Sequence, residues 1–341
     1  MTDPLPQLQH YDIADFVLQS GEVLPKATLA YRTYGTLNDN RSNAILYPTS
    51  YGVVDADVAW LIGPGRVLDP SKYFIVAVNM FGNGASSSPS NMERNPETGL
   101  FARFSHVDNV TAQHQLITQH LGIDQLALAY GWSMGAQQAL HWGALFPDAV
   151  ARIFTICGTA KTSVHNWVFL DSLRATLTTD PAWDGQAFSA HPDRGLRAFG
   201  RVYAGWALSQ AFYRERVYES LGYDDIETYL AETWDKTFLH RDPHNLLSLL
   251  DTWQRCDISD NDRFNGDLRA ALGAITARTV HMAASTDLYF RARDIKAEAE
   301  HMSNGQYAEL TTVWGHRGGN PQQSPEDETV LRSTVQRLLE A

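Results

Sequence analysis

Short, continuously apolar runs recur along the chain at Ala44 to Tyr47, Tyr73 to Val78, Leu126 to Tyr130, Ile153 to Cys157 and Thr279 to Ala283. Unbroken hydrophobicity over so few residues marks strands buried on both faces, as in parallel sheets. Stretches with helical spacing of their apolar positions lie between them: Val107 to Leu121, Ala136 to Leu145 and Ile295 to Met302. Alternation of this kind predicts an α/β fold with a mostly parallel, doubly wound sheet. Ahead of it, Tyr11 to Val17 and Ala27 to Tyr34 are β-like runs separated by Ser20, Gly21 and Pro25, which predicts an antiparallel hairpin.

The alternation stops from Lys161 to about Phe264, where helical periodicity continues without a convincing strand. That stretch holds 16 of the chain's 37 aromatic residues, so it reads as a helical insertion covering the sheet. Residues 1–160 and 266–341 are then the core and 161–265 a helical lid. Its tryptophans, Trp167, Trp183, Trp206, Trp234 and Trp253, are expected to pack helices or a subunit contact rather than touch a ligand. The chain closes on a helix with Ser324 as N-cap, Pro325 in its first turn, and Glu326 and Asp327 near its positive end.

Of 341 residues, 44% are apolar and 19% charged, ordinary values for a chain that buries a large core. The net charge of -12 argues against a surface built for nucleic acid or anionic lipid. Gln125 to Pro147 runs for 23 residues without a charge, but its glycines, glutamines, Ser133 and His141 suit strand, turn and helix better than a membrane span. Two cysteines a hundred residues apart form neither a disulfide framework nor a metal site, and Met1 to Tyr11 lacks the apolar stretch of a secretory signal. A cytoplasmic setting is expected.

Chemistry enters at Gly131-Trp132-Ser133-Met134-Gly135, a Gly-x-Ser-x-Gly motif between an expected strand and an expected helix. Such a turn strains the serine and exposes its oxygen, and it needs tiny neighbours because strand and helix approach closely there. Serine is a poor nucleophile without a base, and the base needs an orienting acid. In this arrangement acid and base follow the serine in chain order. Asp287, just past the run Thr279 to Ala283, fits the acid. His316, just past the β-like run Tyr307 to Trp314, fits the base better than His281 in a strand, His301 in a helix, or His141 behind the motif. Backbone N–H groups of Met134 and of Ser50 or Tyr51 are the expected oxyanion donors. His240 and His244, the Asp257 to Asp267 cluster and the glycine-rich Gly82 to Ser88 segment fit metal, calcium and nucleotide patterns poorly, so neither metal nor cofactor is expected.

These residues resemble the homoserine O-acetyltransferase family of α/β-hydrolases. The likeness runs through Ser20 to Pro25, Ala30 to Asn38, Leu61 to Gly65, Asn95 to Gly99, Ser133 to Gly135, Asp287 to Phe290 and Gly315-His316. It implies an acyl-serine intermediate, a helical lid over the site, and a homodimer formed through that lid. The chain departs from the family where the acceptor binds: an aspartate that meets the substrate ammonium is replaced by Arg317. Two cations about 4 Å apart repel by about 4 kcal/mol in a partly buried site, so homoserine is a poor fit. Ser50-Tyr51-Gly52 and Gly131-Trp132-Ser133 also replace the family's Leu-Thr-Gly and Gly-Gly-Ser.

The sequence therefore points to a serine hydrolase of small acyl esters or thioesters, with Arg317, Tyr51 and Trp132 as substrate-binding residues. Its main alternative is an acetyl-CoA-dependent O-acetyltransferase acting on homoserine or another alcohol, with acetyl-CoA as co-substrate only. A catalytically silent binding protein on the same fold is the third reading.

Overall fold

The computed structural model describes residues 4–340, so Met1 to Asp3 and Ala341 lie outside it. Eight strands form one sheet in the order β1-β2-β4-β3-β5-β6-β7-β8. They are β1 (Gln9–Val17), β2 (Val23–Tyr34), β3 (Ala44–Pro48), β4 (Phe74–Val78), β5 (Leu128–Trp132), β6 (Arg152–Ile156), β7 (Arg278–Ala284) and β8 (Gly305–Leu310). The first two pair as the expected antiparallel hairpin and β2 joins β4 antiparallel. From β4 onward every pairing is parallel.

The burial pattern explains the topology. β3 and β5 are buried at every position, and β4, β6 and β7 at all but the first. Such strands need cover on both faces. His106–Gln115, Met134–Leu145 and Ala292–Ala299 are among the helices that supply it. The chain steps from β3 to β4 on one side and from β5 onward to the other, so winding reverses at β3. Loops leaving strand C-termini beside such a reversal open a crevice for ligands.

Between β6 and β7 the described residues form helices and turns, chiefly Val164–Thr178, Asp193–Ala207 and Pro243–Gln254. Their apolar faces, with Phe169, Phe199, Tyr203 and Trp253, join Tyr51, Met134, Tyr289 and Phe290 in one buried cluster over the strand ends. The glycine-rich segment after β4 is structural: Ser86 and Ser87 accept from the backbone N–H groups of Ala30 and Thr28.

Several details depart from sequence expectation, among them β2, which already starts at Val23 and takes in Pro25. β5 starts two residues later than Leu126 and runs two residues further, through Gly131 and Trp132, because these two pair with Thr155 and Ile156 of β6. β8 ends at Leu310, four residues before Trp314, since Thr312 turns the chain inward by accepting from Trp314 N at 3.1 Å. His301 lies in a turn just beyond the helix Ala292–Ala299.

Candidate active site

Five loops converge at the C-terminal ends of β3, β5, β6, β7 and β8. The sharpest follows β5. Ser133 has φ 58° and ψ −128°, a backbone conformation that side chains rarely adopt and that costs about 1–3 kcal/mol unless its surroundings hold it. They do: Ser133 N donates to Ile156 O at 3.0 Å, and Gln137 N closes the first helical turn on Ser133 O at 3.1 Å. Gly131 is required here, because a Cβ on it would lie 2.5 Å from both N and Cα of Ala136. Met134 opens the following helix, so its N–H has no carbonyl partner within that helix.

The acid and base segments are tied to each other. Asp287 is held past β7 by its own N–H to Ala284 O at 3.1 Å. Thr286 Oγ1 donates to Thr312 O at 2.7 Å and accepts from Gly315 N at 3.2 Å. Thr312 Oγ1 donates to the buried Asp327 at 2.7 Å, which anchors the base loop on the C-terminal helix. Gly315, at φ +59°, passes so close to the helical insertion that a Cβ would meet Ser209 N at 2.8 Å.

His316 Nδ1 hydrogen-bonds Asp287 Oδ2 at 2.8 Å, with both side chains essentially excluded from solvent. The other carboxylate oxygen accepts from Tyr289 N at 3.0 Å and Phe290 N at 3.1 Å. Three donors thus hold this carboxylate in one orientation. The His316 ring packs between aromatic faces, 4.3 Å from Tyr289, 5.2 Å from Trp132 and 5.6 Å from Phe290. Trp132, the residue before Ser133, donates its indole N–H to His316 O at 3.2 Å, linking serine turn and base loop directly.

Cys157 is a neighbour that motif reading passed over. It sits just past β6 at φ 53°, fully buried, with a ligand-type atom within 4.8 Å of those of Asp287 and His316. Burial pushes its thiol pKa well up, and the Asp287 charge adds to that, so the sulfur stays protonated and can donate toward the acid. A buried thiol in an apolar run carries no sequence signal that separates it from core packing. Cys157, Asp287 and His316 are also metal-type ligands in one cluster, but the hydrogen bond between acid and base already engages two of them.

The oxyanion candidates after β3 lie against the serine turn and the cavity of the site. Ser50 Oγ donates to Trp132 O and accepts from Gly135 N at 3.2 Å, so its side chain braces the serine turn and what it can offer a ligand is its backbone N–H. Tyr51 donates its hydroxyl to Leu246 O at 3.2 Å and stacks its ring on Phe199 and Tyr203. Its side chain offers the site a ring face and no polar contact.

A cavity of about 140 Å³ opens beside these groups, lined by Tyr51, Trp132, Tyr203, Trp234, His316 and Arg317 among others. That is well under the roughly 300–1,000 Å³ of sites for drug-sized ligands. All three sequence-predicted substrate-binding residues border it. Trp234, expected only to pack helices, borders it as well, whereas Trp253 is sealed in the core against Phe290 and Trp206 stacks on Phe169.

Three of the histidines set aside from the sequence have structural partners. His281 pairs with Glu298 at 3.1 Å and with Thr155, and His141 hydrogen-bonds Gln137 O at 2.8 Å. His244 accepts from Phe188 N at 3.3 Å between the rings of Phe101 and Phe188. Asp257 pairs with Lys161 at 2.7 Å.

Residues 60–205 match the family model described as alpha/beta hydrolase fold. The chain is 38% identical over 310 residues to an ethyl acetate hydrolase of Pseudomonas veronii, covering 90% of this chain and 88% of that one. It is 32% identical to a homoserine O-succinyltransferase of Methylibium petroleiphilum, over 89% and 87% of the two chains. The crystal structure of an acetylester hydrolase from Corynebacterium glutamicum superposes with a TM-score of 0.93 at 35% identity, covering 98% of this chain and 96% of that one.

Proposed function

The chain belongs to the α/β-hydrolase family that includes these esterases and homoserine acyltransferases, and from that premise we propose a serine esterase that cleaves small acyl esters through an acyl-Ser133 intermediate. The observation that carries the reading is the buried His316–Asp287 pair beside the strained Ser133 turn, at a small cavity.

Ser133 Oγ attacks the acyl carbon while His316 Nε2 takes its proton. Asp287 keeps the ring in the tautomer that leaves Nε2 free and stabilises the imidazolium. The oxyanion is met by Met134 N–H and by the N–H of Ser50 or Tyr51, fixed donors in a site with little water. Collapse breaks the C–O bond, and His316 returns its proton to the departing alcohol. Water then attacks the acyl-serine, deprotonated by the same ring, and the carboxylic acid leaves. No cofactor takes part. Residues 1–160 and 266–341 act as the core and 161–265 as the lid that keeps the intermediate dry until water is positioned.

Water, rather than homoserine, is the favoured acceptor because the cavity presents the Arg317 guanidinium and no carboxylate to an incoming ammonium. Membership of a family with homoserine acyltransferases supports the second reading, transfer from acetyl-CoA to an alcohol. Two further features belong to the proposal. Val164, Trp167 and Val168, 81%, 45% and 54% exposed on one helix of the insertion, support a homodimer formed through that helix. Two buried, unpaired cysteines support a cytoplasmic setting. No described helix is long and apolar enough to cross a membrane.

The test is to follow an acetate ester with and without millimolar homoserine. Quantitative release of acetate, unchanged by homoserine and without an acetyl adduct from acetyl-CoA, is expected. Acetylhomoserine formation from acetyl-CoA would replace this reading with the transferase one.

A further inference from the structure

We propose that Arg317 makes this site selective for esters whose alcohol half carries a carboxylate. The inference rests on the esterase reading and names its substrate class. Arg317 borders the cavity next to His316. Among the described residues no carboxylate lies within ion-pair distance of it, and none lines the cavity. The other guanidinium of the lining, Arg241, is already neutralised by Asp57 at 3.0 Å. Among the described residues Arg317 is thus the guanidinium of the cavity lining that has no carboxylate partner.

Its backbone is fixed, while among the described residues its guanidinium has no hydrogen-bond partner. Arg317 N donates to Trp314 O at 3.1 Å, and its carbonyl accepts from Asn320 N at 3.0 Å. Gly318 and Gly319 pack so tightly that added Cβ atoms would meet Thr312 Cγ2 at 2.6 Å and Trp132 Nε1 at 2.7 Å. Its charge reaches across the cavity: burial raises the phenol pKa values of Tyr203 and Tyr229, and Arg317 opposes that rise in both. A planar guanidinium with its N–H donors unspent is matched by a carboxylate, which it grips through two parallel hydrogen bonds. The carboxylate belongs on the alcohol half because Arg317 lines the same cavity as His316, the residue that hands its proton to the departing alcohol.

The test compares 3-acetoxypropionate with 3-acetoxypropanamide, which differ only in that charge. The wild-type enzyme is expected to favour the acid at least tenfold in kcat/KM. Arg317→Gln should bring the ratio to within about threefold of one, and Arg317→Lys should keep part of it. Wild-type cleavage of the amide should also be inhibited competitively by propionate and not by propionamide, a measurement that needs no variant. A wild-type ratio near one, or a preference that survives in Arg317→Gln, overturns the proposal while leaving the esterase reading intact. Failure to cleave either ester would instead remove the esterase reading beneath it.

Discussion

Replacing Asp287 with Asn separates orientation of the base from mere packing. The substitution changes one oxygen for a nitrogen, and the surroundings dictate which one. Oδ1 accepts from Tyr289 N and Phe290 N at 3.0 and 3.1 Å, and an amide NH₂ turned toward those two donors would lose both bonds and face them with like polarity. The Asn oxygen therefore stays there, and its NH₂ faces His316 Nδ1, where the carboxylate accepted at 2.8 Å. Nδ1 must become the acceptor, so the proton moves to Nε2, the atom that has to receive the serine proton. The wrong tautomer costs about 10⁴-fold in kcat, the size known for the same change in a serine protease triad. That is about 5.4 kcal/mol of barrier at about 1.36 kcal/mol per tenfold. Stability should change by less than about 2 kcal/mol, because both backbone bonds and the side-chain volume persist. The assay is acetate-ester hydrolysis by pH-stat alongside urea unfolding of both proteins. Activity within tenfold of wild type, in a variant of unchanged stability, would refute the assignment of Asp287 as the orienting acid.

Other outcomes follow from the same packing. Gly131→Ala should abolish esterase activity and destabilise the fold by several kcal/mol, since its Cβ is aimed at backbone rather than at a side chain that can yield; expression level and unfolding midpoint check this. Burial holds the His141 pKa down to about 4, and it lowers that of its neighbour His106 as well. The unfolded chain therefore binds protons that the folded one refuses, so stability falls as pH drops from about 6.5 toward 4, with a slope of about 1.4 kcal/mol per pH unit per histidine. In urea titrations across that range His141→Gln should lose about half of the slope contributed by the pair, and an unchanged slope would contradict it.

How much of this was legible from the sequence varies by element. The buried strands were readable because a strand covered on both faces leaves an unbroken apolar run, and the nucleophile turn because Gly131 and Gly135 stand where only tiny residues fit. Asp287 and His316 could be singled out as candidates because each follows a strand, in a fixed order after Ser133, and the structure brings the two into hydrogen-bond contact. What sequence could not supply depends on contacts between distant segments. The inward turn at Thr312 relies on Asp327, fifteen positions on. Cys157 looks like core until the sheet sets it beside Asp287. Nothing in the sequence says that the insertion occupies the Tyr51 hydroxyl through Leu246 O and leaves the site only its ring. The unpaired state of Arg317 is the clearest case, because only the assembled cavity reveals which acids are out of its reach.

The most direct test of Ser133 as nucleophile is intact-protein and peptide mass spectrometry after treatment with a fluorophosphonate, with Ser133→Ala alongside. One stoichiometric adduct on the Ser133 peptide, lost together with ester hydrolysis in Ser133→Ala, is the expected result. An adduct that forms equally in Ser133→Ala, or ester turnover that persists without this serine, would contradict an acyl-Ser133 mechanism.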